Sequence, residues 1–292
     1  MSWILFSLLA ALTWAVVDTI DKHVLTKWTK RPAVPLMLLG IVGVIAAIAV
    51  YLFRGFQQLS AANIMLSFLA GILYFAAMLF YFRAVKLEEI SRVVPLFNLT
   101  HFFVLVLAAV FLGEIFTPLK YVGVFLLIIG AVLISMKQHL ALGKSFWLMI
   151  LTSLCLAFNS IISKYVLNFA DFWTVFSYSR IGTLFILVPL FCFYARDLKE
   201  VRQKHGAKVI FYITLNESLS LAGVFFITIA ASIGFITLVQ ALSAVQPFFV
   251  LLFAVILSIF FPKFLKEKIS RPVLLLKFIA TVMIFAGAVL IV

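Results

Sequence analysis

Arg180, Glu217 and His101 are ionisable residues that fall inside long apolar runs. A charge at the centre of a bilayer costs about 2.5–3.5 kcal/mol on insertion scales, so such a group faces protein or a water-filled space. Arg180 stands about eight residues into its run, with Tyr178 close by. It suits a substrate contact or a gate; the plainer readings are a structural ion pair or a snorkelling side chain. Asn216 and Glu217 lie about seven residues into the next run. A carboxyl group at that depth is suited to carrying a proton, which makes Glu217 the best coupling candidate. A carboxylate hydrogen-bonded for packing is the alternative. Entering from opposite faces, Arg180 and Glu217 differ in depth by roughly 9 Å at 1.5 Å per residue, and whether they pair is open.

Ser91, Pro95, Asn98 and His101 recur at three- or four-residue steps and form one polar stripe on a helix. Gln240, Ser243, Gln246 and Pro247 form its counterpart later in the chain. Two such stripes read as walls of a common central cavity. Each proline removes a backbone donor and loosens the turn before it, freeing carbonyls for a ligand or water. His101 is a candidate proton carrier, with a satisfied helix-contact histidine as the plainer reading. Asp18 and Asp21 are one helical turn apart, and Ser160 and Ser163, beside Asn159, hold the matching places further on. Lys22 and Lys164 adjoin them, which favours an interfacial ion pair over a substrate contact. Trp14, Tyr74, Met78 and Tyr81 suit an aromatic wall, although most aromatics in a chain with 33 Phe pack or face lipid. The candidate substrate ligands are thus Trp14, Tyr74, Tyr81, Asn98, His101, Asn159, Tyr178, Arg180, Gln240 and Gln246. Glu217, Asp18, Pro95 and Pro247 are candidates for coupling or gating.

The elements that position them follow from composition. Apolar residues make up 66% and charged residues 11% of the chain, against roughly 45–50% and 25% in a soluble domain. There is too little polar surface to cover a globule in water, so lipid must be the solvent. Its continuous apolar runs lack the alternation of barrel strands, which leaves helices as the spanning form. The runs predict ten helices, at about 3–22, 34–53, 62–82, 90–112, 119–136, 146–166, 172–194, 209–230, 233–261 and 272–292. The first is expected to be a span and not a cleaved signal, because no Lys or Arg precedes it. The 233–261 run is too long for one upright span, and the longest polar segment is about Ala195 to Lys208.

Of the 23 Lys and Arg residues, 18 fall at the odd-numbered connections and 3 at the even-numbered ones. That asymmetry, and not nucleic-acid binding, accounts for the net charge of +13. It predicts odd connections in the cytoplasm and both termini outside a plasma membrane. Cys155 and Cys192 are isolated inside helices and are expected to be packing residues. No phosphate loop, zinc motif or nucleophile elbow occurs, so the chain calls for no metal or cofactor and is not expected to be an enzyme.

The halves echo each other. A shift of 142 residues pairs Ala15 with Ala157, Lys22 with Lys164, and Val24-Leu25 with Val166-Leu167. A shift of 152 pairs Ser91 with Ser243, Pro95 with Pro247, and Phe97 with Phe249. Gly-Ala-Val-Leu-Ile ends both halves, at 130–134 and 287–291. Three echoes in one order predict two five-helix repeats, 1–138 and 145–292, within one membrane domain. A unit with an odd number of spans enters the membrane upside down on its second pass. The expected fold is therefore all-α, ten transmembrane helices as two inverted repeats, with a substrate site near the midplane.

Pro95, Leu112-Gly113-Glu114, Gly123 and Gly130 in the first half, and Pro247, Glu267 and Gly287 in the second, resemble the drug/metabolite transporter superfamily in its ten-helix EamA-like branch. Phe-Pro-Lys-Phe-Leu-Lys at 261–266 departs from that pattern in spacing. The resemblance implies a carrier of small organic solutes such as amino acids, metabolites or drugs, frequently working outward by alternating access. Proton coupling through Glu217 or His101 and facilitated diffusion are its two variants. From other classes, a membrane-embedded enzyme acting on lipid-linked substrates and a channel-like facilitator stand as alternatives. Substrate identity and oligomeric state are not written in the sequence.

Overall fold

The computed structural model describes residues 2–29, 31–87, 93–111, 113, 117–135, 144–261 and 271–291. The described chain is helical throughout. α1 (Trp3–His23) opens on Ser2, whose hydroxyl accepts from the Ile4 amide at 3.2 Å, and it continues into a wider turn over Val24–Trp28. Then follow α2 (Ala33–Arg54), α3 (Ala61–Leu87), a tight 3-10 turn (Val94–Asn98), α4 (Leu99–Phe111) and α5 (Pro118–Ser135). The second part comprises α6 (Lys144–Val166), α7 (Phe172–Gly182), α8 (Leu184–His205), α9 (Ala207–Ile233), α10 (Ile236–Ser243), α11 (Gln246–Phe260) and α12 (Arg271–Ile291). Seven helical runs among the described residues are long and apolar enough to cross a membrane, and three apolar helices are shorter.

Three elements differ from the expected ones, each for a local reason. Within the 90–112 run a 3-10 turn occupies Val94–Asn98, where the missing donor of Pro95 loosens the ladder. The 233–261 run splits at Ala244–Val245, with Pro247 opening α11, so two short helices replace one overlong span. The 172–194 run breaks at Thr183, whose hydroxyl donates to the Arg180 carbonyl at 2.6 Å. Its continuation α8 then carries through the charged stretch 195–205, where Arg, Leu, Lys, Glu and Gln are good helix formers. That stretch is helix, not loop.

The two parts pack crosswise, α1 on α9 and α6 on α3, while α2 meets α7 and α5 meets α12. At the α5–α12 crossing Gly287 leaves room for the Gly123 carbonyl, which would lie 2.5 Å from a Cβ there. Small residues of this kind let helix backbones touch where no hydrophobic drive exists between lipid-bathed helices. Large apolar side chains such as Phe53 and Phe193 are exposed on the outside, as a lipid-facing surface requires. Cys155 is half-buried, whereas Cys192 is exposed and therefore does not pack in the core.

Two polar ties join the parts at opposite ends of the bundle. At one end the Arg31 guanidinium donates to Asp197 Oδ1 at 2.5 Å and to Glu200 at 3.4 Å, and Trp28 stacks on Tyr212. At the other the Gln57 amide donates to Thr174 Oγ1 at 3.1 Å, and the Asp171 amide to Gln57 Oε1 at 2.8 Å.

Candidate functional site

A central cavity of about 150 Å³ opens between the two parts. α1, α2, α3, α4, α6, α7, α9, α10 and α11 all contribute to its wall. At one end it is closed by buried Leu39, Tyr81 and Phe82; towards the other, Ser163, Leu167, Ile227 and Thr228 are partly exposed. The cavity therefore opens at the end where α6 and α9 finish.

The acidic groups cluster towards the closed end. Asp18 Oδ2 accepts from Gln246 Nε2 at 2.5 Å and its Oδ1 from the Tyr81 hydroxyl at 3.1 Å, which joins α1 to α11 and α3. Asp21 Oδ1 accepts from Asn216 Nδ2 at 2.7 Å. Both aspartates are buried, and no lysine pairs with either among the described residues. The expected interfacial ion pair with Lys22 or Lys164 is thus replaced by neutral donors. The helical turn that separates Asp18 from Asp21 aims both carboxyls inward, while Lys22, one position on, projects elsewhere. Glu217 is 1% exposed, lines the cavity, and its Oε1 has no hydrogen-bond partner among the described residues.

Arg180 lies apart from these acids. Its guanidinium carbon sits 4.3 Å from the Tyr74 ring centroid and 5.7 Å from that of Phe176, and Nη2 donates to Ser179 Oγ at 3.0 Å. Nε has no partner among the described residues. Arg180 and Glu217 do not form an ion pair; the Tyr74 side chain stands near both. Gly43 on α2 makes room for the arginine stem, since a Cβ there would lie 3.2 Å from Arg180 Cδ.

Three side-chain hydrogen bonds tie the polar middle together across helices. Gln240 Nε2 donates to Ser160 Oγ at 2.9 Å, tying α10 to α6. Asn159 Nδ2 donates to the Ala70 carbonyl on α3 at 2.8 Å, and Trp14 Nε1 to the Ser220 carbonyl on α9 at 3.2 Å. Asn98 and His101 from α4 and the preceding turn are buried in the wall, with His101 Nδ1 unpartnered among the described residues. Trp14, Asp18, Tyr74, Tyr81, Asn98, His101, Asn159, Arg180, Glu217, Gln240, Gln246 and Pro247 all line this one cavity.

Tyr178 does not. Its ring packs between Phe56 at 5.0 Å and Phe68 at 6.0 Å, because two residues along a helix turn it roughly 200° away from Arg180. The backbone at Pro95 lies in the 3-10 turn beside the cavity. Glu114 and Glu267 lie outside the described residues. Asp21, Asn216, Ser160, Ser163 and Phe176 belong to the wall or its support without having been singled out as ligands. For Phe176 a signal existed, since it precedes Arg180 by one turn on the same face.

Removing one donor tests how the acids are held. Gln246→Leu leaves Asp18 Oδ2 buried without its partner, and a loss of about 1–3 kcal/mol is expected. Thermal melting in detergent would register it; an unchanged midpoint would show that the Gln246 bond contributes nothing.

An all-helical, multi-pass membrane protein with an internal polar cavity is the class that these features define. Residues 1–136 match the EamA-like transporter family, in agreement with the resemblance to the drug/metabolite transporter superfamily. No curated protein matches the chain. A solved structure described as "Crystal structure of protein" is 16% identical, with a TM-score of 0.70, over 99% of this chain and 97% of its own. At that identity the likeness concerns the fold alone.

Proposed function

We propose that the chain is a secondary transporter that exports small organic solutes, amino acids, metabolites or drugs, by alternating access. The observation that carries this reading is the single cavity walled by polar groups from both parts, closed at one end and open at the other. In this reading the three shorter helices also cross the membrane, giving ten spans as inverted repeats 1–138 and 145–292. The crosswise packing of α1 on α9 and α6 on α3 supports that symmetry. Exchanging the conformations of two such units moves the opening from one side to the other. With odd connections in the cytoplasm of a plasma-membrane protein, the open end faces outward. The cavity-lining residues supply the substrate contacts: Trp14, Tyr74, Tyr81, Asn98, His101, Asn159, Arg180, Gln240 and Gln246. Asp18 and Pro247 serve gating, and Pro95 does so through its backbone. Glu217, buried and without a partner for Oε1, is the proton-coupling group.

The test is flux into proteoliposomes across a panel of solutes, with and without a pH gradient. Saturable flux that a proton gradient accelerates is expected. Glu217→Gln should retain downhill exchange and lose the acceleration. Flux that rises linearly with concentration would replace the carrier by a channel, and gradient-driven uptake in Glu217→Gln would remove that carboxyl from the coupling step.

A further inference from the structure

At the open end of the cavity one lysine joins α6 to the end of α9. Lys164 Nζ donates to the Ala231 carbonyl at 2.7 Å and to the Gly234 carbonyl at 2.8 Å. Ala231 lies in the last turn of α9, which finishes at Ile233. Carbonyls there have no amide donors of their own, and a cation also meets the negative end of the helix dipole. Ser163, Leu167, Ala231 and Ile236 line the rim around this contact. Two residues beyond Gly234, α10 begins and carries Gln240 and Ser243 into the wall. The ammonium thus fixes the break from which a cavity wall hangs.

The first part holds the same components at the closed end. Lys22 occupies on α1 the place that Lys164 occupies on α6, by the 142-residue shift. α3 and α9 each have 27 residues, so matching their ends sets Val85 against Ala231. Val85 is buried in the last turn of α3, and no bond from Lys22 joins α1 to α3 among the described residues. Among the described residues one lysine of the pair is bonded across helices and its counterpart is not, and the partly exposed rim of the cavity lies at the bonded end.

We propose that Lys164 and Lys22 are alternating caps: Lys164 holds the α9–α10 break when the cavity opens at its end, and Lys22 takes the end of α3 when it opens at the other. This rests on the alternating-access reading. Both are positioning residues and touch no substrate.

The experiment labels a Ser163→Cys reporter in a Cys155→Ser, Cys192→Ser background, in nanodiscs, with a charged methanethiosulfonate that reaches both faces. Ser163 is reachable when its end is open. Lys164→Met should slow labelling by about tenfold, the scale set by losing a charge-assisted hydrogen-bond pair. Lys164→Arg should remain near the parental rate, and adding Lys22→Met to Lys164→Met should restore most of it. Parental labelling in Lys164→Met, or a double variant as slow as the single one, would overturn the proposal. If Lys164→Met does not elute as folded protein, Lys22→Met alone decides, since faster labelling supports the caps and unchanged or slower labelling overturns them. Flux of the reporter protein measured in parallel separates the two readings. Saturable flux with unmoved labelling rejects only the caps, and shifted labelling without saturable flux rejects only the carrier.

Discussion

Arg180→Met is expected to reduce solute flux on the order of a hundredfold while the protein still folds. Arg180 is 3% exposed, lines the cavity, and has Tyr74 and Phe176 against its guanidinium. Its Nη2 donates to Ser179 Oγ, and no carboxylate pairs with it among the described residues. A buried cation without an anionic partner is costly unless something in the working cycle answers it. In the proposed carrier an acceptor group on the solute would do so, and losing a buried charged contact typically costs about 2–5 kcal/mol, which spans the expected factor. Methionine retains most of the stem's volume beside Gly43, so packing changes little. Arg180→Lys keeps the charge but loses the planar fork and its stacking, and intermediate flux is expected. Initial rates in proteoliposomes, normalised to protein that elutes as a single folded species, make the comparison. Parental flux in Arg180→Met would reduce Arg180 to a packing residue.

The cavity wall was largely legible because intramembrane polar residues are few and each must face inward. Asn98, His101, Gln240 and Gln246 recur at helical spacing, and the structure turns all four into one space. Tyr178 was not resolved by that reasoning, since closeness in sequence to Arg180 says nothing of helix face. Asp18 and Asp21 show a different limit. Their position beside Lys22 suggested the interface, but their partners, Gln246, Tyr81 and Asn216, come from α11, α3 and α9. Contacts across 60 to 230 residues leave no local trace. The breaks at Thr183 and Ala244–Val245 were likewise hidden inside continuous apolar runs, where hydropathy sees a single span. Lys164 illustrates the same point from the other direction: counted as a loop charge, it caps a helix 67 residues away.

Gly71→Ala should destabilise the protein by about 1–3 kcal/mol, and Gly71→Leu should prevent it from folding. The sign is the informative part, because alanine in place of glycine inside an open helix stabilises by about 1 kcal/mol. Here a Cβ on Gly71 would run into the Ser179 carbonyl and lie 3.2 Å from the Thr183 amide nitrogen. Reciprocally, a Cβ on Gly182 would lie 2.6 Å from Phe68 Cα. α3 and α7 therefore touch backbone to backbone at two points, each pair three residues apart along its helix and so on one face. No neighbouring side chain can retract to admit the new methyl, since the obstruction is main chain. Only a separation of the helices relieves it, and that would also move Arg180, which follows Ser179, away from Tyr74 on α3. Loss of thermal stability in detergent should accordingly come with weakened flux in Gly71→Ala, even among the molecules that remain folded. If Gly71→Ala melted at or above the parental midpoint, the close crossing that sets Arg180 against Tyr74 would not exist as described.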